Sequence, residues 1–232
     1  MRTLTPAELL AVWERGYAQR PPERALTLLA AAQPEATPEE LLRLPIGSRD
    51  LAILQLRESN FGSRFSGVTK CPACGEDVEV QFTSEHVRAE APSEPPAGEL
   101  TATVGARTVR FRVPDSSDLI AVADAPHEAR ALLLSRCLFD EETDEETTAA
   151  VLAQMAARDP QANVQLTISC PTCGSVFERP FDVVTWLWNE VASWASRIVR
   201  EVHLLATAYG WRESEILSMT PWRRQLYLEL VQ

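Results

Sequence analysis

Two five-residue motifs constrain this chain more than any other feature: Cys71-Pro72-Ala73-Cys74-Gly75 and Cys170-Pro171-Thr172-Cys173-Gly174, each reading C-P-x-C-G. Two residues between the cysteines let both sulfurs point at one ion from a tight turn. The proline pre-sets that turn, and the glycine lets the backbone fold back so that its amides reach the thiolates. Two such knuckles supply four thiolates, the donor set of a closed tetrahedral zinc site. The expectation is that Cys71, Cys74, Cys170 and Cys173 hold one structural Zn2+ in a zinc ribbon. A catalytic zinc keeps an open position for water, and four sulfurs leave none. The competing reading is two separate redox pairs or disulfides. A thioredoxin-like pair would open a helix, whereas the residues after each pair here read as strand or extended chain.

The two pairs are separated by 95 residues, where a compact ribbon needs roughly 15–20. An insertion into the ribbon explains the excess, and because loop-closure cost rises only logarithmically with length, a shared ion remains affordable. The fifth cysteine, Cys137, shares an apolar helix face with Leu133 and Leu134 and reads as a core thiol, not a fifth ligand.

Periodicity places these motifs. Val78, Val80 and Phe82 alternate with polar residues directly after the first pair, and Val164, Leu166 and Ile168 do so directly before the second, so each pair sits at a strand end. Ahead of them the chain is helical. Thr5-Pro6-Ala7-Glu8 and Thr37-Pro38-Glu39-Glu40 are capping-box starts, Pro21-Pro22 precedes a second helix through Ala32, and a further helix runs from about Ser48 to Phe61-Gly62. Residues 89–98 form a proline-rich linker. A hairpin follows, Leu100–Val104 and Val109–Val113 about a turn at Gly105-Ala106, and then helices at about 117–124, 127–138 and 145–157. The acidic run Asp140–Glu146 reads as a solvated corner and helix start. Asp182 can cap a long helix to about Ala208, stopped at Tyr209-Gly210, with short helices at Glu213–Ser218 and after Thr220-Pro221.

The fold class is therefore α+β, with helical N- and C-terminal segments flanking a split zinc ribbon that carries an inserted β-hairpin plus helices. The expected divisions are 1–66, a ribbon of 67–88 and 161–181, an inserted subdomain of 99–160, and 182–232.

Chemistry beyond the cysteines is sparse. There are three histidines and nine glycines, and no G-x-S-x-G, Walker A, G-x-G-x-x-G or H-E-x-x-H motif. His86, His127 and His203 are scattered over a strand end, a helix first turn and the long helix. No enzyme is expected. A net charge of -11 repels phosphate backbones and anionic lipid and argues against nucleic-acid and membrane partners. Residues 1–20 are charged throughout, with no long apolar run, which gives the expectation of a cytoplasmic protein with reduced thiols. Trp186, Trp188, Trp194, Trp211 and Trp222 crowd the last fifth of the chain. Trp186 and Trp188 lie about 200° apart on a helix, so they serve different faces, either in packing or as interface anchors.

Taken in order, LPIGSRDLAILQLRESNFG (Leu44–Gly62), CPACGE, a long insert, CPTCG and EVHLLATAYGWRESEILSMTPWRRQLYLELV (Glu201–Val231) resemble the zinc-ribbon baseplate proteins of contractile phage tail-like injection systems, relatives of T-even phage baseplate hub subunits and hub assembly chaperones. The specific parts are the two knuckles, the G-x-R-D segment at Gly47–Asp50 and A-x-x-Y-G-W-x-x-x-E-I at Ala206–Ile216. The tail is also similar to small tail-assembly proteins of phages. The resemblance implies a non-enzymatic structural or assembly role in the baseplate hub, with hub, spike or wedge proteins as partners and incorporation into a phage tail-like particle. The alternative is a zinc-ribbon nucleic-acid-binding or transcription-associated module, for which Arg212, Arg223 and Arg224 beside Trp211 and Trp222 would form a basic, aromatic patch.

Overall fold

The computed structural model describes residues 2–90, 96, 98–104, 107–125, 127–140 and 144–231. The chain opens with four helices. In α1 (Pro6–Gly16) the Thr5 hydroxyl accepts from the Glu8 amide while the Glu8 carboxylate accepts from the Thr5 amide, closing the expected capping box. α2 (Pro21–Ala32) starts on Pro21 itself, a first-turn position where the missing N–H costs nothing. α3 (Pro38–Leu42) repeats the box with Thr37 and Glu40. α4 (Ile46–Phe61) begins two residues before the expected Ser48, straight after Pro45, and stops at Gly62 with φ 87°.

β1 (Arg64–Lys70) and β2 (Asp77–Thr83) form an antiparallel hairpin across the first knuckle. A second hairpin pairs β3 (Leu100–Val104) with β4 (Arg107–Phe111); the turn expected at Gly105-Ala106 lies outside the described residues, as does most of the expected 89–98 linker. Three helices follow: α5 (Ser116–Val122), capped by Asp115, α6 (Ala129–Cys137) and α7 (Glu145–Arg158), capped by Asp144. His127 sits in the turn before α6 and not in its first turn. Of the acidic run, residues 141–143 fall outside the described residues. β5 (Gln165–Ser169) and β6 (Val176–Pro180) make the third hairpin, across the second knuckle. α8 (Val183–Tyr209) carries Asp182 as its cap and ends in left-handed Gly210; α9 (Glu213–Leu217) and α10 (Pro221–Glu229) close the chain.

The main core joins both ends of the sequence. Leu9, Val12, Leu28, Leu29, Leu41, Ile53 and Leu54 from the first four helices pack with Val184, Leu187, Trp188 and Val191 of α8. A separate cluster of Ala102, Val109, Phe111, Cys137, Val151 and Met155 fills the space between the second hairpin and α6 and α7. The two neighbouring tryptophans of α8 divide as their spacing requires. Trp186 joins Phe65, Phe82 and Phe181 in an aromatic cluster with centroids 4.9–5.9 Å apart, where the first hairpin meets α8. Trp188 is buried toward α1 and α2, with the Arg24 guanidinium 4.5 Å over its ring. Trp211 stacks on Tyr209 and meets Tyr227 edge-to-face, and Trp222 stands 73% exposed. Leu226 and Leu230 of the last helical segment are likewise exposed, and Leu228, Tyr227 and Val231 make its inward contacts.

Candidate metal centre

Each cysteine motif folds into the same knuckle. In the first, the Cys71 amide donates to the Glu76 carbonyl and the Gly75 amide to the Cys71 carbonyl, both at 2.9 Å. In the second, the Cys170 amide donates to Ser175 at 2.9 Å and the Gly174 amide to Cys170 at 3.0 Å. Gly75 and Gly174 take φ of 77° and 73°, left-handed values that a side chain would oppose. Sequence and backbone thus agree on why proline and glycine bracket each pair.

The knuckles face one another. Cys71 Sγ lies 3.7 Å from Cys173 Sγ, and Cys74 Sγ lies 3.7 Å from Cys170 Sγ. All four sulfurs fall within 4.8 Å of one another and all four thiols are free. Cys71 and Cys170 are buried over Val78 and Ile168, while Cys74 and Cys173 face outward. The amides of Cys74 and Ala73 hold the Cys71 thiol below its ordinary range, and those of Cys173 and Thr172 bring Cys170 down to about 6. Cys74 moves the other way, up to about 12: the Glu76 amide lowers it, but burial and the neighbouring sulfurs of Cys173, Cys71 and Cys170 outweigh that. Sulfurs this close resist ionising together unless a cation sits among them.

A metal–sulfur bond of about 2.3 Å implies sulfur–sulfur edges of about 3.8 Å in a regular tetrahedron. The 3.7 Å contacts meet that value, and the remaining separations stay within 4.8 Å. The four cysteines therefore form a possible metal site whose donors suit a soft divalent ion. The fifth cysteine stands apart. Cys137 Sγ is 3.8 Å from the Asp118 carboxylate in the second core, where burial and that charge push its thiol up to about 12. Among the histidines, His86 accepts from the Thr83 amide at 3.1 Å as a local cap, and His127 and His203 are exposed.

A buried polar junction, silent in the sequence, surrounds the Gly47–Asp50 segment and gives that motif a physical reason. Gly47 N donates to Asp159 Oδ2 at 2.8 Å, and a Cβ at Gly47 would come within 2.0 Å of Asp159 Oδ1. Arg49 is buried against Asp50 at 2.7 Å and reaches Ser116 Oγ at 3.4 Å. Burial raises the Asp50 carboxyl to about 6 although Arg49 opposes it. The Ile46 amide donates to the Pro114 carbonyl at 3.1 Å. This stretch therefore fastens the start of α4 to α5 and to the segment after α7. Behind it, fully buried Asp118 receives both Arg112 Nη atoms at 2.6 and 2.8 Å and Arg136 Nε at 2.8 Å. Burial would raise its carboxyl, but Arg112, the Asp115 amide and Arg136 hold it down to about 2. A second such pair, Arg57 with Glu190, links α4 to α8. Gly47 with Asp159 and Arg57 with Glu190 lie far apart in sequence, so only the third dimension reveals them; Arg49 with Asp50 and Arg112 with Asp118 are sequence neighbours whose burial only the fold reveals.

The expected basic patch is weaker than its sequence suggests. Arg224 is buried and its Nε donates to Glu201 at 2.7 Å, leaving Arg212 and Arg223 as the exposed arginines of that patch. No helix among the described residues is long and apolar enough to cross a membrane.

A family model described as T4 bacteriophage base plate protein matches residues 22–183. The match takes in both knuckles, the Gly47–Asp50 segment and the intervening hairpin and helices, and stops at the start of α8, before the Ala206–Ile216 motif. No curated protein and no solved structure matches the chain. With more than half of its length matched, the chain belongs to the T4 bacteriophage base plate protein family.

Proposed function

We propose that this chain is a non-enzymatic structural or assembly component of the hub region of a contractile, phage tail-like baseplate, stabilised by one structural Zn2+ held by Cys71, Cys74, Cys170 and Cys173. The observation that carries the reading is that the baseplate family match spans both knuckles, whose four sulfurs converge within 4.8 Å. Membership of a baseplate family implies contact with other baseplate components; within this reading those are hub, spike or wedge proteins, and the chain acts after folding in the cytoplasm, as part of the particle or as a hub assembly chaperone.

The metal supplies no chemistry to a substrate here. Four sulfur donors leave no open position, and the groups with displaced pKa outside the cysteines serve caps, ion pairs and the buried junction. Zn2+ would instead cross-link a ribbon of 67–88 and 161–181 at the point where an inserted unit of 99–160 leaves and returns, with 1–66 and 182–232 framing it. Such a knot fixes the direction of the two hairpins relative to α8. Deleting the gene in its host system and imaging the particles tests the role. Missing or hubless baseplates are expected; intact, firing-competent particles would reject it. A salt-titrated DNA and RNA binding assay tests the nucleic-acid alternative, and the burial of Arg224 leads us to expect no tight, salt-sensitive binding.

A further inference from the structure

Among the described strands, β1 pairs with β2 alone. Ser63 accepts from the Ser84 amide and the Cys71 amide donates to Glu76. With the register Phe65↔Phe82, Gly67↔Val80 and Thr69↔Val78, the odd-numbered residues exchange main-chain bonds with β2. Arg64, Ser66, Val68 and Lys70 therefore turn their main-chain groups to the opposite side. Two arginines close the ends of that outer edge: Arg57 Nη2 donates to the Arg64 carbonyl at 2.5 Å, and Arg179 Nη2 donates to the Lys70 carbonyl at 3.0 Å. Between them lie Ser66 and Val68, both exposed, each offering one N–H and one C=O with no described strand alongside.

This edge borders a groove of about 620 Å³ whose lining includes Ser66, Pro180, Asp182, Trp186, Trp194 and Arg197. β1 runs back along α8. Arg57, which caps Arg64, pairs with Glu190; Gly67 lies against the Trp186 ring; Lys70 meets Arg179, just before α8 begins. Arg57 takes the charge of Glu190. The charges with no close ion partner are then Asp182 at one end, whose oxygens also accept from the Thr185 amide and hydroxyl as the cap of α8, and Arg197, loosely paired with Glu201 at 3.7 Å, at the other. Arg197 lies fifteen positions beyond the cap residue Asp182, about 22 Å at 1.5 Å per residue. An extended segment of about seven residues covers that span.

We infer that this groove takes an extended segment of a partner protein, added as a third strand to β1 at Ser66–Val68. Its alternate apolar side chains rest on Trp186 and Trp194, with a basic residue at the Asp182 end and an acidic residue at the Arg197 end. An extended chain is the ligand because an exposed edge asks for main-chain donors and acceptors, which a helix has already spent internally.

The test pans the intact protein against a displayed library of random peptides about twelve residues long, enough to overrun the groove. Enriched peptides should alternate apolar and polar residues between opposite end charges, and should slow hydrogen exchange at the Ser66 and Val68 amides of the wild-type chain. Ser66→Pro with Val68→Pro removes the outward N–H groups and spares the bonds to β2. At unchanged melting temperature it should weaken binding by about tenfold or more, as expected for two lost hydrogen bonds. Arg197→Glu should select a basic residue in place of the acidic one. No enrichment, binding that leaves those two amides exchanging freely, or equal binding to the proline variant would overturn the inference. A wild-type dimer that the proline variant breaks, without peptide binding, would give the edge to a second copy and overturn it as well.

Discussion

Replacing Arg57 with methionine removes the side chain on which three elements converge. Arg57 is 3% exposed. Its guanidinium holds Glu190 of α8 at 2.6 and 2.9 Å, donates to the main-chain carbonyls of Gly62 and Arg64, and lies 3.9 Å from the Phe65 ring centroid. Breaking a buried ion pair by deleting one partner costs about 3–5 kcal/mol. Glu190 is 27% exposed and can partly rehydrate, which moves that contribution toward the lower end. The two orphaned carbonyls add about 1 kcal/mol each, and methionine recovers some packing on Phe65. The net expectation is about 4 kcal/mol. At about 2–4 °C per kcal/mol for a chain of this size, the melting temperature should fall by roughly 10 °C. Urea denaturation of Arg57→Met, Glu190→Gln and the double variant would measure it. The double variant should cost less than the sum of the singles, because each single strands a charge that the double removes. A loss under about 1 kcal/mol for Arg57→Met, or strict additivity, would refute this account of the joint.

The remaining expectations concern the metal, the acid limb and the buried junction. Cys71→Ser or Cys170→Ser should abolish stoichiometric zinc and destabilise the middle of the chain by several kcal/mol out of the roughly 10 that a structural zinc can contribute, while far-UV circular dichroism retains the terminal helices; melting curves identical to wild type would reject this. Asp118 has a folded pKa held down to about 2 from 3.8, so its contribution is present above the unfolded value and lost as pH falls from about 4 to 2, on the order of 2 kcal/mol. Asp118→Asn should therefore lower stability at pH 7 and flatten the decline between pH 5 and 2, and a parallel decline would count against it. Asp50 has the opposite sign: its folded pKa is raised to about 6, so its contribution is greatest below 3.8 and lost as pH rises through 6; stability measured across pH 4–7 should fall more steeply with pH in wild type than in Asp50→Asn, and equal slopes would count against it. Gly47→Ala would place a Cβ within 2.0 Å of Asp159 Oδ1 and 2.9 Å of the Ala162 amide; since the backbone neighbour cannot swing away, a loss of about 1–3 kcal/mol is expected, and unchanged thermal stability would show that the junction yields.

Local chemistry made much of this fold legible. Thr5, Thr37, Asp115 and Asp182 each signal a helix start through a side chain that accepts from an amide two or three residues on, and each does so. Alternation found β2 and β5. It did not find β1, where Phe65 is the one fully buried side chain of RFSGVTK and a central glycine interrupts the pattern, nor β6, which ends in proline. Those strands exist because a partner across each knuckle pairs with them. The opposite placement of Trp186 and Trp188 followed from helical geometry, but what each meets, Phe65 or Arg24, depends on contacts across more than 100 residues of sequence. The same holds for Arg57 with Glu190 and for Gly47 with Asp159. The convergence of the two cysteine pairs was readable because ligand spacing is local within each knuckle; the buried carboxylate–arginine pairs were not, because charged residues in sequence look like solvated surface. The exposure of Leu226 and Leu230 shows the converse, apolar residues at helical spacing that the fold leaves outside.

In the proposed centre, thiols nearly a hundred positions apart bind one ion. Elemental analysis of the purified chain, paired with X-ray absorption at the metal edge, tests this directly. One zinc per chain with four sulfur neighbours at about 2.3 Å and no light-atom ligand is expected. Absence of metal, a mixed sulfur and oxygen shell, or two separate disulfides within the C-P-x-C-G motifs would contradict it.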